Sequence, residues 1–335
     1  MLARLLPIED VGVVLLGMSA AAFIGLGANG GYALLSTTEL PKLDERRQKK
    51  TAFEFNRVAL VDSILAYFAL CAIGWIVAVS LGFTDGQKTA LLMGFICAPA
   101  SILMRYNASI GMAARYFKTA YMPDLLFRPA ALLVGLIAAA LAGWLQSSFA
   151  ALVIFVVVTY VTTIGQAWIL RGNRLSLKHL GWPRKFLAKP IRSRAVALTL
   201  VSATMLAFAD IVTLVAGFIL PERDVAIAGV AMRVAAIAGF MLQAGQMLVM
   251  TEFTQALVRG DNEAVTAILK RVNGLTVGIV LACLIGVLVL GKFALGLFGA
   301  EYQQGAYLLV LGVDLFVSGV LSICARCFIC LCFCE

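Results

Sequence analysis

Residues 11–35 read VGVVLLGMSAAAFIGLGANGGYALL, a stretch without one charged side chain. A helix of about 20 apolar residues is long enough to cross the hydrocarbon core of a bilayer. The stretch also holds the spacing G-x-G-x-x-G at Gly25, Gly27 and Gly30, which is typical of a dinucleotide-binding loop. Such a loop follows a strand and opens a helix. Because no turn precedes these glycines, we interpret the stretch as a membrane-spanning helix and expect no nucleotide to bind.

The composition of the whole chain supports this interpretation. Of its 335 residues, 62% are hydrophobic and only 13% are charged, and the mean hydropathy is +0.97. Soluble domains carry about 25% charged residues, so a chain this apolar requires lipid as its solvent. The net charge of +9 is then better explained by basic cytoplasmic loops than by nucleic-acid binding.

Nine stretches have the length and composition of membrane spans. They are 11–35, 58–81, 89–111, 129–146, 149–170, 196–220, 224–250, 273–291 and 306–325. We therefore predict an all-α, polytopic integral membrane helical bundle with about nine transmembrane helices. The long basic connection 171–194 separates five spans from four, which predicts an N-terminal lobe over 1–171 and a C-terminal lobe over 172–335.

Basic residues alternate from one side of the predicted bundle to the other. Connections 36–57, 105–128, 171–194 and 251–272 hold six, four, eight and three Lys and Arg residues, whereas the opposite ends hold four in all. Cytoplasmic loops carry the excess of Lys and Arg. We expect a multi-pass protein of the plasma (inner) membrane with these basic loops in the cytoplasm.

Enzymatic motifs are absent from the sequence. It holds no G-x-x-x-x-G-K-[ST], no G-x-S-x-G and no H-E-x-x-H, and its one histidine cannot build a His-rich metal site. Five cysteines crowd into residues 324–334 (CARCFICLCFC). Zinc ligation and lipidation are alternatives there, but we favour an atypical chain end. We expect no catalytic residue, no metal and no cofactor.

Ionisable residues inside predicted spans are the candidate functional residues. Charge in the hydrocarbon is costly and by default marks a cavity or a substrate path. Asp210 and Arg233 lie at equal distances from the turn between two consecutive spans, roughly 15 Å below the outer surface. Either they form a structural ion pair, or they belong to a substrate or proton site. Arg105 and Asp314 are weaker candidates for the same cavity.

Two features of the first and third spans predict helix packing. Gly27 and Gly31 are four residues apart, a small-xxx-small pattern that lets helix backbones approach closely in lipid, and Asn29 could hydrogen-bond across that contact. Pro99 interrupts the third span, which predicts a kink whose freed carbonyl groups neighbouring helices must satisfy.

Three elements resemble the oligosaccharide flippases of the multidrug/oligosaccharidyl-lipid/polysaccharide exporter superfamily. They are MLARLLPIEDVG (1–12), FADIVTLVAGFILPERDVAIAGVAMRVAAI (208–237) and LGLFGAEYQQGAYLLVLGV (295–313). The first resembles the "aRlLgpeefG" start of that family's second helix. The second resembles an acidic helix followed by an "A-x-R" helix, and the third resembles its "lFG-eY" element. The family has about twelve spans, so the chain is expected to be truncated at both ends.

The resemblance implies two pseudo-symmetric lobes around a central cavity that opens to each side in turn. It implies translocation of undecaprenyl-diphosphate-linked oligosaccharide for surface polysaccharide biosynthesis, with membrane lipids and polysaccharide assembly proteins as further partners. Asp210 and Arg233 lie in matched stretches and would contact the substrate. The alternatives are a drug or cation antiporter of the same superfamily and an integral-membrane polymerase or glycosyltransferase.

Overall fold

The computed structural model describes residues 2–45, 49–113, 116–145, 147–171, 185–206, 208–236 and 262–312. The helices are α1 (Leu2–Leu5), α2 (Ile8–Glu45), α3 (Lys49–Ser80), α4 (Asp85–Ala113), α5 (Phe117–Met122), α6 (Arg128–Leu141), α7 (Ser148–Arg171), α8 (Lys185–Leu206), α9 (Phe208–Ile219), α10 (222–236) and α11 (Asn262–Gly296). A π turn (Pro123–Phe127) joins α5 to α6, and a 3-10 turn (Ala300–Gly305) follows α11. No described residue lies in a strand, and the predicted all-α fold class is confirmed.

Five helical stretches of the described chain are long and apolar enough to cross a membrane. They are Ile8–Thr37, Glu54–Ser80, Asp85–Met112, Ala120–Leu141 and Ser148–Leu170. They correspond to the first five predicted spans, and Phe208–Ile219 and Leu281–Gly296 are shorter apolar helices. The chain is a multi-pass membrane protein. Large parts of the predicted spans 224–250 and 306–325 lie outside the described residues.

The chain divides into two compact units, Met1–Ala226 and Ile227–Glu335. The first unit contains the described parts of α1 to α9 and the start of α10. In the second unit, Tyr302 and Leu309 are buried, and Gly305 approaches Ile227 so closely that a Cβ at Gly305 would lie 2.6 Å from Ile227 Cγ2. The predicted lobe boundary at 171/172 stays a prediction.

Helix α2 lies at the centre of the first unit, in contact with α3, α4, α7, α8 and α9. Its residues Val11, Leu16 and Leu26 are fully buried, whereas the apolar side chains of α3 and α6 are mostly exposed, as lipid-facing helices require. The glycines at 25, 27 and 30 are therefore inside one continuous helix, Ile8–Glu45. This geometry excludes the strand-turn-helix arrangement of a dinucleotide-binding loop.

A reciprocal side-chain cap begins α4. The amide of Gln87 donates to Thr84 Oγ1 at 3.2 Å, and the amide of Thr84 donates to Gln87 Oε1 at 3.0 Å. This capping box satisfies two N–H groups that the first helical turn leaves without partners. Thr84 Oγ1 also donates to Glu222 Oε1 at 2.6 Å, so the cap ties α4 to the start of α10.

The predicted loop 105–128 is wrong. Helix α4 continues through Arg105 to Ala113, and a helical stretch resumes at Phe117. The fourth span is Ala120–Leu141 rather than 129–146. The prediction placed Asp124 and Arg128 in a loop because both are charged. They lie one helical turn apart and pair with each other, which reduces the free energy needed to place them in a span.

Candidate functional site

Four charged residues from four elements of the first unit form the candidate site. Arg105 lies on α4, Asp124 lies in the π turn, Arg128 begins α6 and Asp210 lies in the first turn of α9. The charges of the other three residues act on the Arg105 guanidinium. Arg105 and Asp210 are half-buried. We name these four residues the charged cluster.

Helix α4, which contains Pro99, carries Arg105. Proline has no N–H, so the Phe95 carbonyl four residues earlier loses its helical donor. The Tyr67 hydroxyl of α3 donates to Phe95 O at 3.2 Å instead. Tyr160 of α7 donates to Ile96 O at 2.8 Å. Donors from neighbouring helices thus bind the carbonyl groups before Pro99, as the sequence predicts, whereas the kink itself stays a prediction.

Two further carbonyls beyond the proline are also bound. Thr163 of α7 donates to Ala100 O at 3.1 Å, and Asn29 of α2 donates to Ile102 O at 3.2 Å. Asn29 also accepts a hydrogen bond from Ser63 at 3.3 Å, so it joins α2, α3 and α4 across their contact. These bonds fix the path of α4 over the turn that leads to Arg105.

The π turn carries Asp124 toward Arg128. One Arg128 guanidinium nitrogen, Nη2, lies 3.1 Å from Asp124 Oδ1. That oxygen is buried and has no geometrically aligned hydrogen-bond donor among the described residues, so the contact is an ion pair without a directed hydrogen bond. Single π turns inside α-helices occur frequently at functional sites.

Asp210 is held by a serine of the central helix. Ser19 Oγ donates to Asp210 Oδ1 at 2.9 Å. The charged cluster therefore contains two guanidinium groups and two carboxylates. Opposite charges that share one site offset each other's desolvation.

Two of the predicted site residues, Arg105 and Asp210, lie within electrostatic range of each other. Arg233 is half-buried on α10 in the second compact unit, and its predicted pairing with Asp210 stays a prediction. Asp314 lies outside the described residues.

The two glycines predicted to pack helices have different surroundings. A Cβ at Gly31 would lie 1.8 Å from the Ala195 carbonyl oxygen of α8, and the Gly31 amide donates to Thr199 Oγ1 at 3.0 Å. A Cβ at Gly27 would lie 3.0 Å from Leu70 Cδ1 of α3. Gly31 thus packs on the backbone of α8, whereas Gly27 packs on the end of the flexible Leu70 side chain.

Sequence reasoning missed Asp124, Arg128 and Ser19 as site residues. The spacing of Asp124 and Arg128 at i, i+4 was a usable signal, because that spacing places opposite charges side by side on a helix. Ser19 gave no signal, since a serine within an apolar helix usually bonds to its own backbone.

No group of three or more His, Cys, Asp or Glu residues in the described part of the chain could hold a metal ion.

A second ionic contact joins α3 to α8. Arg192 donates from Nε to Asp62 Oδ2 and from Nη2 to Asp62 Oδ1, both at 2.7 Å. The Tyr32 hydroxyl of α2 also donates to Asp62 Oδ2. The hydrogen bonds that Arg192 donates to Asp62 raise the pKa of the guanidinium above its ordinary value, so Arg192 is charged at physiological pH.

Comparison with known proteins gives a fold but no family. No protein-family profile matches the sequence, and no curated protein matches it. A solved structure of a multidrug resistance MATE family transporter of the MOP superfamily, in its inward-facing conformation, matches with a TM-score of 0.68 and 15% identity. The match covers 95% of this chain and 78% of that transporter. The chain has the fold of this membrane transporter.

Proposed function

We propose that this protein is a transporter that moves polyprenyl-diphosphate-linked oligosaccharide from the cytoplasmic to the outer leaflet by alternating access. The observation that supports the proposal most is the presence of Arg105 and Arg128 inside candidate membrane spans, each near a carboxylate. Ionised groups at this depth usually face a cavity or a substrate path.

Arginine suits this substrate for a chemical reason. A planar guanidinium binds two oxygens of a phosphate at once and stays charged at every physiological pH. A diphosphate that enters the charged cluster can compete with Asp124 and Asp210 for the two guanidinium groups. An apolar or cationic drug has no comparable use for them. The likeness to a MATE transporter supports alternating access as the means of transport.

A second candidate is a drug or cation antiporter, because the similar solved structure is a multidrug resistance transporter. Asp210 with its Ser19 hydrogen bond could then bind the coupling cation or a cationic drug. In this case carboxylates would carry the substrate contacts, and replacement of the arginines would leave drug export intact.

Surface polysaccharide in a flippase-null strain tests the proposal. We expect the unsubstituted chain to restore polysaccharide and Arg105→Gln to lower it about tenfold or more, since hydrogen bonds to charged groups contribute roughly 1.5–3 kcal/mol. The matched control is Arg194→Gln, which replaces an exposed arginine on α8. This variant should export polysaccharide normally. Membrane protein level is quantified in parallel. Normal polysaccharide from Arg105→Gln together with Arg128→Gln would refute the proposal, and efflux of a cationic dye by that variant would favour the antiporter.

A further inference from the structure

The face of α8 that packs on the central helix is polar and small. Its residues Arg192, Ala195, Thr199 and Ser202 recur at the spacing of one helical face. Ala195 and Thr199 meet Gly31, and Ser202 Cβ would lie 3.3 Å from a Cβ added at Gly30. Arg192 lies at the end of this row that is predicted to be cytoplasmic. We name these four residues the α8 seam.

The two partners of the ion pair at this end differ in exposure. The Arg192 side chain is 48% exposed, whereas the Asp62 side chain is 16% exposed. Solvent therefore reaches the guanidinium but hardly reaches the carboxylate, which Tyr32 also holds. An anion from the cytoplasm would meet Arg192 first.

The geometry of the pair also suits replacement by a phosphate. Arg192 already presents Nε and Nη2 as a fork to two carboxylate oxygens, both at 2.7 Å. The same fork fits two phosphate oxygens. Because solvent screens the half-exposed guanidinium, the pair is weaker than a fully buried one, and a more highly charged anion can compete with Asp62 for Arg192.

We propose that Arg192 makes the first contact with the substrate's diphosphate, and that this contact exchanges Arg192 away from Asp62 and frees the cytoplasmic end of α8 from α3. The inference rests on the proposed function, since it takes diphosphate lipid as the substrate. It adds a binding residue outside the charged cluster and assigns Asp62 the role of holding the guanidinium in place while no substrate is bound. Opening then separates the α8 seam from Gly31.

Thiol labelling of Thr199→Cys reports whether the α8 seam opens. The protein is the full chain with its native cysteines replaced by serine, in inverted membrane vesicles that expose the cytoplasmic face. The probe is farnesyl diphosphate, with farnesyl monophosphate and farnesol as controls. We expect farnesyl diphosphate to raise the labelling rate severalfold, and the monophosphate and the alcohol to have a smaller effect or none.

Substitutions of Asp62 and Arg192 test whether their ion pair controls the labelling rate of Thr199→Cys. Asp62→Asn should raise the labelling rate without any ligand. Arg192→Gln should also raise the basal rate and should abolish the response to farnesyl diphosphate, whereas Arg192→Lys should keep part of it because the charge remains. The matched control Arg194→Gln, two residues away on α8, should behave like the parent protein. Unchanged labelling in Asp62→Asn, or a full diphosphate response in Arg192→Gln, would overturn the proposal.

The inference and the proposed function can fail separately. If polysaccharide export depends on Arg105 but farnesyl diphosphate does not change Thr199→Cys labelling, the role of Arg192 is wrong and the proposed function stands. If labelling responds through Arg192 but no polysaccharide is restored, Arg192 is a diphosphate contact and the proposed transport is wrong. Size-exclusion profiles of each variant verify that the labelling differences come from folded protein.

Discussion

At the scale of single residues, substitution by alanine should destabilise the protein more at Gly31 than at Gly27. In Gly31→Ala the new carbon would lie 1.8 Å from the Ala195 carbonyl oxygen, a backbone atom that moves only with α8. Such overpacking costs about 1–3 kcal/mol. In Gly27→Ala the neighbour at 3.0 Å is the end of the Leu70 side chain, which can rotate away. We expect Gly31→Ala to lower the midpoint of thermal unfolding in detergent clearly, and Gly27→Ala to lower it little. Equal midpoints for the two variants would contradict this geometry.

Asp210 provides a second prediction at this scale. If Arg105 compensates the Asp210 charge, Asp210→Asn leaves an uncompensated guanidinium in the span, and the added substitution Arg105→Gln restores the balance. We expect the double variant to accumulate in the membrane at a higher level than Asp210→Asn alone. The parallel double variant, Asp210→Asn with Arg233→Gln, tests the pairing predicted from the sequence. Rescue by Arg233→Gln and not by Arg105→Gln would contradict the role assigned to Arg105.

The sequence indicated Asp210 as a site residue but could not indicate these neighbours. Counting residues from the turn of a hairpin gives the relative depth of two residues only when their helices are consecutive in the chain. This count suggested Arg233 as the partner of Asp210. Arg105 precedes Asp210 by more than one hundred residues, and Ser19 precedes Asp210 by 191 residues. Such contacts depend on which helices pack around α2, and apolar patterns in lipid do not specify helix neighbours.

At the scale of the helical element, Pro99 and its hydroxyl donors form one unit. Tyr67→Phe removes the donor to Phe95 O and should cost about 1 kcal/mol. In a Pro99→Ala background the amide of residue 99 can bond to the same carbonyl, so Tyr67→Phe should cost less there. We expect a coupling of at least about 0.5 kcal/mol between the two sites, measured from unfolding midpoints of the four proteins. Equal effects of Tyr67→Phe in both backgrounds would show that the hydroxyl does not substitute for the missing amide.

The helical element also shows where charge patterns mislead. Arg105, Asp124 and Arg128 lie between two apolar runs, and four basic residues over 105–128 are typical of a cytoplasmic loop. The structure instead extends α4 to Ala113 and starts the next span at Ala120. Charges that pair within the protein can be part of a span, and sequence hydropathy does not record pairing. The predicted hydrogen bonds at Asn29 and near Pro99, by contrast, are confirmed, because a carbonyl without a helical donor or a buried amide needs a partner in lipid whatever the fold.

At the scale of the whole molecule, the alternation of basic loops predicts how the chain crosses the membrane. Single cysteines at Asp85 and at Glu301, both exposed, should react with an impermeant maleimide added outside intact cells. Single cysteines at Lys42 and Lys178 should react only after the cells are opened. Lys42 and Lys178 belong to the connections richest in Lys and Arg. The reverse accessibility would refute the orientation.

Much of the architecture followed from the sequence because lipid imposes length and composition on every span. The first five spans agree with the structure to within about ten residues, a deviation caused by Asp124 and Arg128. The likeness to a MATE transporter shows the fold of the chain. The substrate did not follow in the same way, since one transporter fold can carry different site residues and different cargo.

Transport of lipid-linked oligosaccharide by the purified protein is the decisive test of the proposed flippase activity. The chain is reconstituted into liposomes that contain a fluorescent polyprenyl-diphosphate-linked oligosaccharide, and an impermeant reagent quenches the label in the outer leaflet. We expect the protein to increase the fraction of labelled lipid that becomes accessible. Arg105→Gln together with Arg128→Gln should abolish the increase, whereas Arg194→Gln should not. No increase with the unsubstituted protein, or an equal increase with the double arginine variant, would contradict the proposed activity.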